Sequence, residues 1–308
     1  MRWSGFTLLL FGLVLPTFAD ELLWRHLQVL SSDEMEGRRT GSHGAELARS
    51  YIKQVFTDLG LRTFHNSYEM PFTHHFVIGQ LSGVNLVGWL PGKGYSECFI
   101  VVSAHYDHLG KQGHRIFNGA DDNASGVSVL LYLAAALKTH PAEHSVIFLA
   151  TDAEERGLYG ARAFVDAPPV TLSSMVVNLN LDMLGYGGSG NKLWVGGSKK
   201  HPQLLPAVNA SIGLAPLRLK TGVEGIARGY RSRAWINYDR ASDHAVFGQA
   251  GIPYLYLGVG EHRFYHTEED EIERIDRDYF SKAAETALIV LRQLDQLLVK
   301  STPVESLN

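Results

Sequence analysis

The chain has 308 residues, 45% of them hydrophobic and 19% charged, an ordinary globular composition with room for one large core or two small ones. Its 28 basic and 32 acidic residues leave a net charge of −4 with no long run of either sign, which excludes the clustered basic face that nucleic-acid binding needs. Fourteen histidines are a high count for a side chain that carries protons and binds metals.

Residues 1–19 read as a cleaved secretory leader: Arg2 gives a positive start, Phe6 to Leu15 a short apolar stretch, and Pro16-Thr17-Phe18-Ala19 small residues before the cut. The apolar stretch is about ten residues, against the roughly twenty of a membrane span, so an uncleaved anchor is the lesser reading. The mature chain is expected to begin near Asp20, secreted or periplasmic, with no membrane attachment after cleavage. Cys98 is the single cysteine, which excludes an intrachain disulfide, and it reads as a core residue before a strand.

The next elements alternate. Glu21 to Leu30 reads as a short helix, Ser31 to Ser42 as a polar loop, and Ala45 to Leu59 as an amphipathic helix stopped by Gly60. Asn85–Leu90 and Phe99–Ser103 read as strands, Ser125 to Lys138 as a helix, Ser145–Ala150 as a strand and Tyr159–Val165 as a short helix. Met175–Leu181 and Pro253–Leu257 are further strands, and Asp276 to Lys300 a long closing helix. Near-continuous apolar strands separated by helices predict an α/β three-layer sandwich, a mostly parallel mixed sheet with helices on both faces. No repeat or long linker divides it, so residues 20–300 read as one domain and 301–308 as a disordered tail.

In such sheets ligands bind beyond the carboxyl ends of the strands, and chemistry-bearing residues fall there. Ser145–Ala150 runs into Glu154-Glu155. Adjacent carboxylates at a strand mouth repel and lose hydration unless a cation or proton intervenes; a solvated helix start is the ordinary alternative. Phe99–Ser103 runs into His105-Tyr106-Asp107, Val176–Leu181 into Asp182, and Pro253–Leu257 leads toward His266. Gly119-Ala120-Asp121-Asp122-Asn123-Ala124-Ser125-Gly126 opens the helix 125–138. Singly, these are hydrogen-bonded pairs, turns and caps; their coincidence at successive strand exits points to one metal-dependent site.

With these motifs the sequence resembles the secreted co-catalytic dizinc aminopeptidases, a family that also contains glutamate carboxypeptidase and glutaminyl cyclase. The resemblance runs from Ser32-Asp33-Glu34-Met35-Glu36-Gly37-Arg38 to His266-Thr267 and rests on Ala104-His105-Tyr106-Asp107-His108, Gly119 to Gly126, Ala153 to Leu158 and Leu181-Asp182-Met183. It implies that His105 and Asp182 hold one zinc, Glu155 and His266 the other, and that Asp122 bridges them. It further implies Glu154 as general base, Asp107 as the partner that orients His105, and a cis peptide at Asp122–Asn123.

The residue types suit that chemistry. Histidines and carboxylates bind zinc while leaving positions for water and substrate, other divalent ions being possible. A glutamate beside a ligand can move the proton. An anionic site suits the protonated α-amine of peptide substrates with a free N-terminus, and the aromatic-rich segment from Trp235 to Tyr265 suits an apolar first residue. The alternatives are a dizinc carboxypeptidase or dipeptidase using Arg228, Arg231, Arg233 and Arg240, a glutaminyl cyclase-like transferase, and a non-catalytic binding module. His74, His75, His108 and His114 read as loop or core residues. Ser242-Asp243-His244 lacks the glycine pattern of a nucleophile elbow and reads as structural support.

Overall fold

The computed structural model describes residues 14–187 and 190–301; the expected leader's residues 1–13 and the tail from 302 lie outside them. Helix α1 runs Val14–Leu30, through the expected cleavage point, and a short 3₁₀ turn follows at Asp33–Arg38, inside the segment expected to be a loop. Helix α2 is His43–Asp58, with the Ser42 hydroxyl accepting from Ala45 N at 3.2 Å as its N-cap. Strands β1 (Glu69–His75), β2 (Gln80–Leu90) and β3 (Tyr95–His105) come next, then a small hairpin of β4 (Gly110–Gln112) and β5 (Arg115–Phe117). Helix α3 (Gly126–Thr139), β6 (His144–Thr151), α4 (Tyr159–Asp166) and β7 (Met175–Asp182) form the middle of the chain. The remainder is β8 (Lys192–Gly196), α5 (Leu205–Ile212), β9 (Arg218–Thr221), a hairpin of β10 (Ile226–Arg228) and β11 (Trp235–Asn237), α6 (His244–Gln249), β12 (Tyr254–Gly258) and α7 (Arg277–Ser301).

Eight strands form one mixed sheet in the order β1-β2-β6-β3-β7-β12-β8-β9. The central four, β6-β3-β7-β12, are parallel, and β1, β2 and β8 pair antiparallel toward the edges. Alternation along the strands sends Ile100, Val102, Val146, Phe148, Val177 and Leu179 to a core shared with α1, α2, α3 and α7. Val101, Ile147 and Leu149 face the other way, onto Phe164 of α4 and Phe247 of α6. The expected three-layer sandwich is therefore what forms. No helix among the described residues is long and apolar enough to cross a membrane.

The crossover from β3 through α3 leads to β6 on one side, and the chain then returns by α4 on the opposite face to β7 on the other. The carboxyl end of β3 is thus the switch point at which a crevice opens. Strands β1, β8 and β9 were not apparent in the sequence. They lie at or near the sheet edges, and β1, with Pro71 and an alternation of half-buried and exposed residues, carries no apolar run.

Arg38 is the largest fully buried side chain, and it lies beneath that crevice. Its guanidinium donates to the carbonyls of Tyr106 (2.8 Å), Asn118 (2.6 Å) and Gly119 (3.0 Å), and also to that of Leu30. One side chain thereby ties the end of α1 to the exit of β3 and to the loop before α3. Burial pulls its pKa down to about 10, against the raising influence of Asp122, Asp270 and Asp107. Arg38→Met would strand four buried carbonyls, at a cost of about 3 kcal/mol or more. Calorimetry in the presence of chelator is expected to show a melting temperature lower by roughly 6–12 °C; a change under about 2 °C would remove Arg38 from this role.

Candidate functional site

Each of the four parallel strands delivers residues to the crevice. His105 ends β3, Asp182 ends β7, Glu154 and Glu155 follow β6, and His266 follows β12 after a loop. Asp122 enters from the irregular turn 120–125 ahead of α3, where the Asp122–Asn123 peptide is cis, as the resemblance implies. Ala153, Met183 and His266 are non-glycine residues held at φ of 58°, 61° and 55°, a left-handed backbone that the surroundings must enforce.

Asp122 stands at the centre. Its Oδ1 lies 3.4 Å from His105 Nε2, which lies 3.4 Å from Asp182 Oδ1. Its Oδ2 lies 3.1 Å from His266 Nε2, which lies 3.2 Å from Glu155 Oε1. The two oxygens of one carboxylate therefore face two separate groups of nitrogen and oxygen donors. A tetrahedral ion with bonds of about 2.0–2.1 Å sets its donors roughly 3.3 Å apart, the spacing found here. His266 Nε2 is buried and hydrogen-bonded to nothing, although two carboxylate oxygens flank it. Donor type, spacing and this unpaired atom all fit a pair of divalent cations. His105, Asp122 and Asp182 could hold one, and Asp122, Glu155 and His266 the other.

The turn that presents Asp122 is fixed from several sides. The Asp270 carboxylate accepts from Asp121 N (2.9 Å) and Asp122 N (3.0 Å). Asp121 in turn accepts from Gly185 N (2.6 Å) and from His262 Nε2 (2.9 Å). Asn123 donates to Leu181 O (3.0 Å) and accepts from Gly126 N (2.9 Å) and Met183 N (3.1 Å), joining the turn to the end of β7. Gly119 has φ 56°, and a Cβ there would fall 2.0 Å from the Asp122 carbonyl oxygen. At Gly126 a Cβ would fall 2.2 Å from Asn123 Oδ1.

The Asp107 carboxylate accepts from Glu154 N at 3.0 Å and Glu155 N at 3.3 Å, so it holds the backbone of the paired glutamates. Its Oδ1 is 3.8 Å from His105 Nδ1, which lies closer, at 3.1 Å, to the Asp107 backbone carbonyl. The two aligned N–H groups of 154 and 155 draw the carboxylate toward β6, leaving its carbonyl as the nearer partner of the His105 ring.

Burial raises the carboxylates of Glu154 and Asp182, with the histidine His105 opposing in both. Burial also works to raise Glu155 and Asp122, but His108 and His266 outweigh it and both fall below the usual carboxylate range. Burial lowers His266, yet Asp122 and Glu155 lift it to about 11. The carboxylates of this crevice thus demand cations, and the imidazoles are the nearest.

His108, read from the sequence as a loop or core residue, is fully buried in this cluster with Nδ1 2.8 Å from Glu155 Oε1. Nothing in a single sequence separates it from other loop histidines; only the turn of chain after β3 brings it round. Asp270 and Arg38 were missed for the same reason, since their partners are backbone atoms far away in the chain. His74 stacks on Tyr159, its ring centroid 4.0 Å away, outside the cluster. Ser242 accepts from Asn180 Nδ2 (2.8 Å), the Thr151 hydroxyl donates to Asp243, and His244 Nε2 lies 2.9 Å from Tyr238 O, so the three support the floor. Burial pushes Asp243 up to about 6 and His244 down to about 4.

A pocket opens on His105, Asp122, Glu154 and Asp182, walled by Met183, Ile236, Tyr238, Tyr256 and Tyr265. Of the aromatics expected to wall it, Trp235 is instead 75% exposed and Phe247 lies in the core under α6. Arg228, Arg231, Arg233 and Arg240 are exposed on and beside the β10–β11 hairpin and do not line the pocket.

The fold is that of several solved structures. A zinc aminopeptidase from Bacillus subtilis superposes with a TM-score of 0.69 at 16% identity, covering 88% of this chain and 94% of that one. A Bacteroides thetaiotaomicron glutaminyl cyclase bound to N-acetylhistamine gives 0.68 at 17% identity, covering 89% and 97%. Among curated proteins, aminopeptidase YwaD of Bacillus subtilis is 32% identical over 209 residues, 65% of this chain and 42% of its own length. The alkaline phosphatase isozyme conversion protein of Escherichia coli is 28% identical over 236 residues, 71% of this chain and 66% of its own. The chain thus spans less than two thirds of either relative. The model of peptidase family M28 matches residues 85–291, a stretch that contains every strand-end residue of the crevice, and the chain belongs to that family.

Proposed function

We propose that this protein is a zinc-dependent exopeptidase that removes N-terminal residues from peptides, with two ions at the crevice. His105, Asp122 and Asp182 would hold one ion, and Asp122, Glu155 and His266 the other. The observation that carries this reading is Asp122, whose two oxygens face two separate donor groups. Membership of family M28 and similarity to proteins named aminopeptidases support it.

Ions bound there would acidify a shared water and polarise the scissile carbonyl. Glu154 belongs to neither donor group but lines the pocket, and it would take the proton of the attacking water and pass it to the leaving amine. Burial raises the pKa of its carboxyl, His105 opposing and Glu155 and Asp182 adding to the rise. Asp107 holds Glu154 and Glu155 by their backbone, fixing which glutamate faces which way. The polar groups at the pocket floor are carboxylates and one histidine, which suits a substrate's ammonium group. A carboxypeptidase would need a cation there, and the four arginines expected to serve it lie outside. The walls of Met183, Ile236 and tyrosine rings favour an apolar first side chain.

Elemental analysis of the purified protein is expected to find two zinc ions per chain, with activity abolished by a strong chelator and restored by zinc. Full activity with one ion or none would rule out the two-ion reading.

The glutamate pair is expected to divide. Glu154→Gln should keep its metal and lose about 10²–10⁴-fold in kcat, whereas Glu155→Gln should also lose metal affinity. Equal metal retention in the two variants, or an active Glu154→Gln, would reverse the assignment.

Peptides with a free N-terminus and an apolar first residue should be cut at their first bond, and their N-acetylated forms far more slowly. Release of residues from the carboxyl end, or equal cutting of blocked peptides, would turn the reading toward a carboxypeptidase or endopeptidase.

A further inference from the structure

The resemblance assigns each centre two side chains of its own beside the shared Asp122. Around Glu155 the structure holds one more. His108 is fully buried, with Nδ1 2.8 Å from Glu155 Oε1 and 3.8 Å from Asp122 Oδ2. On the far side of the same two oxygens, His266 Nε2 lies at 3.2 and 3.1 Å. The four donor atoms of His108, Asp122, Glu155 and His266 all lie within 4.8 Å of one another. Their separations straddle the roughly 3.3 Å edge of a tetrahedral ion with bonds of about 2.0–2.1 Å. Two imidazoles and two carboxylates are donors suited to such an ion, which can expand to five-coordinate and so still take a water. The centre at His105 and Asp182 has three donor residues and, among the described residues, no fourth within reach.

The pocket supplies an independent observation. It is lined by His105, Asp122 and Asp182, but by none of His108, Glu155 and His266. The three-residue centre therefore opens on the substrate space, which the second centre reaches only through the shared Asp122.

Resting on the two-ion reading above, we propose that His108 Nδ1 is a fourth protein ligand of the second ion. The two centres are then unequal. The centre at His108, Asp122, Glu155 and His266, with four protein ligands, fills first and anchors the turn that carries Asp122. The open centre at His105, Asp122 and Asp182 exchanges its ion more readily and faces the peptide.

The test uses the full chain labelled with nitrogen-15 at histidine and loaded with cadmium-113. Metal analysis first establishes how many ions are bound. Scalar coupling between cadmium and Nδ1 of His108, alongside the rings of His105 and His266, is the expected result. Two bound ions with a proton on His108 Nδ1 would make His108 a hydrogen-bond donor to Glu155 and overturn this proposal alone. Fewer than two bound ions would overturn the two-ion reading and this proposal with it.

Competition with a chromophoric chelator supplies a second measurement. Wild-type protein should release zinc in two separated steps. His108→Ala should weaken the tighter site by more than about 100-fold, beyond the 10–100-fold that follows loss of a group touching only a ligand, and leave the other step in place. Recovery of wild-type affinity in His108→Asn, whose amide can donate to Glu155, would count as overturning.

Discussion

The structure is organised by a repulsion. Asp107, Asp122, Glu154, Glu155 and Asp182 meet at the carboxyl edge of the sheet, where water is largely excluded and like charges are costly. Cations held at the centre of the group would resolve the conflict, and Asp122 turns its two oxygens toward two nitrogen-bearing clusters that could hold them. Around this the chain spends its less common features. A buried guanidinium braces the floor, a second layer of acids fixes the backbone, and left-handed residues at 153, 183 and 266 turn side chains inward.

Much of this bracing acts on the backbone. Asp270 grips the N–H groups of 121 and 122, Asp107 those of 154 and 155, and Asn123 joins its own turn to the end of β7. Each such contact converts a carboxylate or amide from a competitor for charge into a clamp. On the α4/α6 face of the sheet, Ser103, Asn180 and Ser242 form a hydrogen-bonded seam that carries polarity up to the crevice floor.

The pocket follows from the same frame. Parallel strands place acidic groups at one end, and the loop after β7, the β10–β11 hairpin and the segment after β12 wall that end with apolar and aromatic side chains. Charge at the floor and apolar surface on the walls are the features on which the proposed substrate preference rests.

What the sequence by itself determined is whatever depends on local order. Apolar runs marked the central strands, because strands buried on both faces need no polar alternation. Gly119 and Gly126 bracketed a turn that has no room for a Cβ, and Glu154-Glu155 after an apolar strand signalled a charge conflict. His105, Asp182 and His266 could be placed in one crevice because strand exits in a parallel sheet converge, and the motif that opens α3 added Asp122 through the family resemblance. Only the tertiary structure decided the rest. The edge strands β1, β8 and β9 are short or half-exposed and leave weak periodicity. Arg38 and Asp270 hold backbone groups distant in the chain, and the four arginines proved to lie outside the pocket. His108 resembled any loop histidine until the fold laid its ring against Glu155, 47 residues away. Periodicity records which face a residue turns to its neighbours; which side chains meet across a crevice is fixed by loop paths that no local pattern encodes.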